Sequence, residues 1–584
     1  MRIVSRTLLF GATSALLLLS GCKGCSKQGG EAATEEAVKL PTARAEVIDA
    51  YLSALPASTR WFAIIPDPTA LMKGFGAVHT PVGRVVPQLR LLESDIKNTI
   101  GVDLADPATL TRLGIPAHSG VAFANDDNAP VAMLFVEDKD KFLGEIHRIV
   151  TNQPYAYGAT TTEKVIGGLT FKVYQKPAPE TRTLYVSVDK GLARIVGAAD
   201  TARADAAVTA LTGASAGSLK SRPGIAEQLK SADGMPLVVW FDVNRVANEG
   251  SGEPPAGSSA AAVRGVIGKA GVAVAGLSLE ARALQLRVSV QPSADAQNKS
   301  IFAPPKNAVA PTFGRVLTPE TYAFARATTK FSDLLDAARG AASPQDLAEI
   351  NQGVAALDKS LGLSLEADVL PALGSGGLVA ATRARLLSLG SARSPGDYIN
   401  ALGVVASWQV TDRAKLDAAI DKVLPVLANR AEKFIEKGAT VLRFTDPTID
   451  FGNVILTDSL LLLAPDRDRA ALLDQLAAAE PPASRVSDPD GQSLLSSAEA
   501  NGVFIDVGQI MSGPIGQVFG PRLPEAAQQL LALLDSLVIK ARYEGGMTGV
   551  DLTVRLLEEP ASPPPGTAPA APAGSGSGAV APNP

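Results

Sequence analysis

The two halves of this chain repeat one another at a nearly fixed distance, and no other feature limits the fold as tightly. Leu55-Pro56-Ala57-Ser58-Thr59-Arg60-Trp61-Phe62-Ala63 is matched by Leu317-Thr318-Pro319-Glu320-Thr321-Tyr322-Ala323-Phe324-Ala325. Gly101-Val102-Asp103-Leu104 is matched by Gly362-Leu363-Ser364-Leu365, 238–243 (VVWFDV) by 503–507 (VFIDV), and 283–288 by 549–554. The offsets are 262, 261, 264 and 266 residues. Such a small drift is what loop insertions produce. A repeat of this length is a domain with its own core rather than a solenoid turn. The expectation is two tandem units, residues 46–298 and 308–558.

Within each unit the hydrophobic period alternates. VAMLFV at 131–136 is continuously apolar, the pattern of a strand covered on both faces. Asp138 then stands where a helix cap belongs, before Phe142, Ile146, Ile149 and Val150 at helical spacing. The second unit offers a strand at 404–408 and a cap at Thr411 or Asp412. A longer helix should follow, through Leu416, Ile420, Val423, Leu427, Phe434 and Ile435, kinked at Pro425. Strands are expected near 169–174 and 184–188, turning at Asp189-Lys190-Gly191 before a helix at 201–211. Their counterparts are 441–445, 454–464 with a turn at Asp458-Ser459, and a helix at 469–477. Each unit closes with a helix and a hairpin, at about 271–290 and 537–556. These signals predict an α+β fold: two tandem copies of a mostly antiparallel, curved sheet with helices on one face. A strict βαβα order with a Gly-rich first turn is absent, which argues against a dinucleotide-binding fold.

The N-terminus addresses the chain. Arg2 and Arg6 precede a short apolar run, Leu8 to Leu19, too short to span a bilayer, which needs about 20 apolar residues. Leu19-Ser20-Gly21-Cys22 follows. In these residues the chain resembles the bacterial lipoproteins, whose lipobox is a Leu, two small residues and a Cys. The resemblance implies that residues 1–21 are a signal peptide and that Cys22 carries the lipid. It further implies a membrane-anchored protein of the cell envelope. Lys23, rather than Asp, after that Cys favours the outer membrane, facing the periplasm or the cell surface. Loss of 1–21 removes two arginines and moves the formal charge from −5 to −7. Cys25 has no partner for a disulfide once Cys22 is lipidated, so stability rests on burial alone. The body resembles, in general layout, the uncharacterised duplicated secreted proteins of bacteria, which brings no activity with it.

Residues 22–45 are small, polar and charged and read as a flexible tether. Residues 559–584, rich in Pro, Ala and Gly, cannot build a core and read as a disordered tail. Residues 249–258 and 384–397 read as internal loops or insertions.

Candidate chemistry is thin. Gly213-Ala214-Ser215-Ala216-Gly217 has the spacing of a serine-hydrolase elbow, but that motif needs a strand before it, and here a helix precedes. His79, His118 and His147 are too scattered for a metal pair, and Asp488-Pro489-Asp490-Gly491 has its glycine too early for a calcium loop. No catalytic, cofactor or metal residue is predicted, and no cofactor is expected. Asp242 and Asp506 stand out because each sits in an apolar strand at the matching place of its unit. They are either buried site acids or strand-ending residues that bind the amides of the next turn. Trp61, Trp240 and Trp408 read as core.

A mildly acidic chain without a dense basic block is ill suited to nucleic acid. The reading is a non-enzymatic envelope lipoprotein that binds or scaffolds an envelope protein, with the groove between units as the contact. The alternative is a carrier of an acyl chain or other apolar ligand. An unrecognised hydrolase is a distant third.

Overall fold

The computed structural model describes residues 39–557, except 86–89, 98–101, 126–128, 153–158, 177–181, 214–216, 246–270, 292–312, 446–451, 479–485, 497–500 and some single positions. Residues 1–38, with Cys22 and Cys25, residues 249–258, Ser215 and residues 558–584 lie outside the described residues. The chain is α+β, with one large antiparallel sheet of 20 strands among the described residues.

The first ten strands are β1 (Trp61–Ile65), β2 (Val121–Asn125), β3 (Pro130–Phe135), β4 (Thr160–Ile166), β5 (Leu169–Lys176), β6 (Arg182–Asp189), β7 (Leu192–Ala198), β8 (Leu237–Asp242), β9 (Val272–Leu279) and β10 (Ala283–Val290). The second ten are β11 (Ala323–Ala327), β12 (Leu373–Ala381), β13 (Val404–Val410), β14 (Ala431–Glu436), β15 (Ala439–Phe444), β16 (Asn453–Leu456), β17 (Leu460–Ala464), β18 (Gly502–Asp506), β19 (Leu534–Glu544) and β20 (Met547–Leu556). In space the first set runs β4-β5-β6-β7-β3-β2-β1-β8-β9-β10. The second set pairs in the same order, from β14 at its outer edge to β20.

β10 and β20 join the halves edge to edge, from Ala283 opposite Arg555 to Val290 opposite Thr548. Leu286 and Leu552, 266 residues apart, stand directly opposite each other at the middle of this ladder. Leu284 faces Val554 and Val288 faces Val550, so the seam reads alike from either side.

Alternating residues of the strands feed cores on opposite faces of the sheet. On one face of the first half, Val131, Met133, Phe135 and Trp240 pack under helices Arg44–Ala54 and Thr201–Thr212 through Tyr51, Ala204 and Val208. On the other, Leu134, Val136 and Val186 meet Phe142, Ile146 and Ile149 of helix Lys139–Asn152. The second half does the same, with Leu472 and Leu494 on one face and Leu416 and Ile420 on the other. Helices therefore cover both faces, correcting the expectation of one. The continuously apolar β3 is the reason, since only a strand buried on both sides needs such a sequence.

Local signals act where expected. The Asp138 carboxylate accepts the Lys141 N–H at 2.9 Å, and Asp412 accepts that of Lys415 at 3.0 Å, each capping the helix that follows. Lys190 and Gly191 both adopt positive φ (48° and 74°), the turn that matches the twist of the β6–β7 hairpin.

Three expectations are corrected. The helix begun at Arg413 ends at Leu427, two residues after Pro425, and Phe434 and Ile435 lie on β14. There the strand period decides: Phe434 packs on the core and Ile435 points outward. Residues 384–397, expected as loop, carry helix Leu386–Ser391 and the start of helix Pro395–Leu402. The body begins before residue 46: Leu40 packs on the first core, and the Arg44 guanidinium reaches the Ala232 carbonyl at 3.2 Å. β4, whose TTTEKVI sequence carries no apolar alternation, was not foreseen.

Candidate functional site

Asp242 and Asp506 occupy matching places. The Asp242 N–H donates to the Arg60 carbonyl, and the Asp506 N–H to the Tyr322 carbonyl, both at 2.8 Å. Each side chain then caps the next turn. Asp242 Oδ1 accepts the Arg245 N–H at 3.2 Å, and Asp506 Oδ1 accepts the Gln509 N–H at 2.7 Å. Phe62 stacks on Trp240 at 5.5 Å in the first half, as Phe324 does on Phe504 at 5.2 Å in the second.

Their electrostatics diverge. Buried Asp242 takes a 2.8 Å bond from Arg222, whose guanidinium lies 4.7 Å over the Trp240 ring. In the second half Asp488 occupies the place of Arg222, one residue before the proline. Its Oδ1 accepts the N–H groups of Asp490 (2.8 Å) and Gly491 (3.1 Å). Burial pushes the Asp506 carboxyl up, and Asp535 and Asp488 add to this against the Gln509 N–H. Burial and Asp488 raise Asp535 likewise, against Arg555. Both aspartates thus bind the amides of the turn after their strand; opposite Asp506 stands Ser536, whose hydroxyl donates to the Asp488 carboxylate.

Of the other sequence candidates, the His79 side chain lies outside the described residues. His118 is exposed, 3.8 Å from Asp67, and His147 lies 5.9 Å from the Tyr174 ring. Gly213 follows helix Thr201–Thr212 directly, so no strand leads into the GxSxG string. Among the described residues no group of three or more His, Cys, Asp or Glu could hold a metal ion. No described helix is long and apolar enough to cross a membrane.

Two surfaces that sequence reasoning did not resolve into residues emerge. The first is the seam. On one face Leu284, Leu286 and Val288 meet Val554, Leu552 and Val550, flanked by Leu277 and Ile539. All remain partly exposed, Val550 at 45%. On the opposite face the seam is polar, with Arg287 Nε 3.0 Å from Asp551 Oδ1. Helix Pro68–Val85 packs Gly74 directly against the Leu279 carbonyl and meets helix Glu525–Leu531 at one end of the seam. In the folded strand β9 the burial alternates strictly along VAVAGLSL, with Ala273, Ala275, Leu277 and Leu279 left partly exposed.

The second surface is a cleft of about 420 Å³ in the second half. Helix Val507–Ser512 and helix Pro514–Phe519 supply Ile510, Pro514 and Ile515, and the chain before helix Leu386–Ser391 supplies Arg383, Ala384 and Arg385. Tyr322 forms part of the lining, its hydroxyl donating to the Leu402 carbonyl at 3.0 Å and its pKa raised by burial. Arg383 forks onto Glu320, which holds that carboxyl below its ordinary range.

No family model matches the sequence, and no curated protein matches it. Among solved structures, three crystal forms of TP0453 align in part. Form III matches at 11% identity over 42% of this chain and 80% of that one, with a TM-score of 0.22. Form IV matches at 9% identity over 41% and 79%, with a TM-score of 0.23. Form I matches at 11% identity over 42% and 79%, with a TM-score of 0.22. At such scores the likeness carries no argument.

Proposed function

We propose that this protein is a non-enzymatic lipoprotein of the cell envelope, anchored through Cys22, whose body binds a partner protein at the seam between its halves. The half-buried apolar face of β9, β10, β20 and β19 carries this reading. Among the described residues helices cover both faces of the central strands of each half, and an apolar face left partly open is the kind of surface that another protein covers. A standard specific interface buries about 800 Å² on each side, and four adjacent strands supply that order of area. The halves are read as copies of one unit; the constant sequence offset and the shared strand-pairing order support this. In such an arrangement the seam is a surface that neither copy has alone.

The carrier reading has the 420 Å³ cleft on its side, since apolar ligands occupy pockets of about 300–1,000 Å³. Against it, large side chains occupy the ground between sheet and helices, with Trp240, Phe171 and Phe324 fully buried.

A photo-crosslinking residue at position 550 of the full-length protein, in cells, tests the partner. A discrete protein adduct, lost when Leu286→Asp and Leu552→Asp are added, is the expected result. Recovery of stoichiometric bound lipid with no protein adduct overturns the reading in favour of the carrier. Anchoring is tested separately: Cys22→Ala should abolish palmitate labelling and release the protein from membranes. Labelling that persists in this variant refutes the anchor.

A further inference from the structure

We infer that the helices around the cleft of the second half form a docking face for an anionic membrane surface. The chain carries a net charge of −5, yet this region is basic and apolar at once. From Val507 to Pro521 there is no charged residue, and most of that stretch is only partly buried. Helix Leu386–Ser391 packs against helix Pro514–Phe519 and presents Leu387 to solvent at 87% exposure, with Leu386 and Tyr398 also exposed. Only Leu389 of that helix is buried, so its leucines are not all needed for the fold.

Arginines stand around this apolar ground. Arg383 and Arg385 border the cleft, Arg393 follows helix Leu386–Ser391, and Arg522 follows helix Pro514–Phe519 with its guanidinium 5.8 Å from the Phe519 ring. All four are exposed. Three carboxylates oppose them among the described residues: Glu320, engaged by Arg383; Asp468, whose charge also acts on Arg383; and Asp397, which accepts the Arg393 N–H at 2.9 Å. Exposed leucines and an aromatic ring among arginines are the composition that settles at the headgroup level of a bilayer. The leucines enter the acyl boundary while the arginines meet phosphate. A neutral protein surface would be matched by the leucines alone. The arginine excess selects the anionic bilayer as the occupant. The inference uses nothing at the seam and does not depend on lipid at Cys22.

Leu387→Trp in the full-length protein provides a reporter, compared with Val165→Trp on edge strand β4, a position 68% exposed. Vesicles of phosphatidylcholine and phosphatidylglycerol with chain-brominated lipid are the probe. Quenching at position 387 several-fold greater than at 165, lost with Arg385→Glu and Arg393→Glu or in pure phosphatidylcholine, is the expected result. Equal quenching at the two positions overturns the inference, as does quenching at 387 that ignores both arginines and lipid charge. A Leu387→Trp spectrum shifted by detergent-solubilised envelope proteins but indifferent to vesicles assigns the face to a protein and overturns it too. All the substituted side chains are exposed, so the variants retain the cores.

Discussion

At the level of single residues, the matched aspartates show how one backbone role tolerates opposite electrostatics. Asp242 and Asp506 both end a strand and cap a turn, but only Asp242 also holds an arginine. Asp242→Ala removes the cap and leaves Arg222 without its carboxylate, which should cost about 2–4 kcal/mol. Asp506→Ala loses the cap alone, about 1 kcal/mol. Urea midpoints of the two variants compare them directly, and equal losses would contradict the ion pair's role. The same pair predicts a pH dependence. Burial raises the carboxyls of Asp506 and Asp535, so the folded chain holds protons that the unfolded chain, titrating near pH ~3.9, has released. Their contribution favours folding most below the unfolded value and is lost as pH rises through the folded value. Asp506→Asn keeps the cap oxygen without the titration. It should flatten the fall in stability above about pH 4, measured as denaturation midpoint against pH. A slope identical to that of the parent would exclude this origin.

At the level of elements, turns and helix ends decide where the periodic pattern stops. Helix Arg413–Leu427 gives way to β14 through Ala428, whose φ of 50° and ψ of −121° suit glycine alone. Ala428→Gly should therefore raise stability by about 1 kcal/mol, although glycine is ordinarily destabilising. Thermal unfolding of the variant checks this, and a lowered midpoint would refute the strain. Helix Pro68–Val85 offers the opposite case. A Cβ on Gly74 would collide with the Leu279 carbonyl, so Gly74→Ala should destabilise the packing of that helix on β9 despite alanine's better helix propensity. Faster amide exchange in β9 and β10 is the corresponding signal.

At the level of the whole molecule, the β10–β20 ladder turns the sheets of the two halves into one continuous sheet. Beside the Arg287–Asp551 pair, the packing of Met547 into the first core and the contact of helix Pro68–Val85 with helix Glu525–Leu531, the join runs through a ladder of backbone hydrogen bonds that a proline cannot donate. Leu286→Pro, at the centre of the ladder, should separate the halves into two unfolding transitions by calorimetry, each with its own core intact. The parent should unfold with the halves coupled. A single, merely shifted transition in the variant would mean that contacts other than the ladder hold them together.

Much of this architecture could be read from residues alone, because each strand, cap and turn answers to local chemistry. VAMLFV announced a strand buried on both sides, Asp138 and Asp412 announced helix starts, and Lys190-Gly191 announced a tight hairpin. The regular offset between halves anticipated a common strand order. Tertiary structure decided what local chemistry leaves open. β4 is polar and edge-bound, so its pairing depends on β5 rather than on a pattern of its own. Phe434 and Ile435 fit a helix or a strand until Pro425 and the pairing with β15 select the strand. Arg222 reaches Asp242 across 20 residues, and Leu286 meets Leu552 across 266, distances at which no periodicity in the chain records a contact. The sequence alone determined which residues need burial and in which elements. Only the folded sheet, by bringing its distant edges together, decided which apolar side chains stay partly uncovered among the described residues.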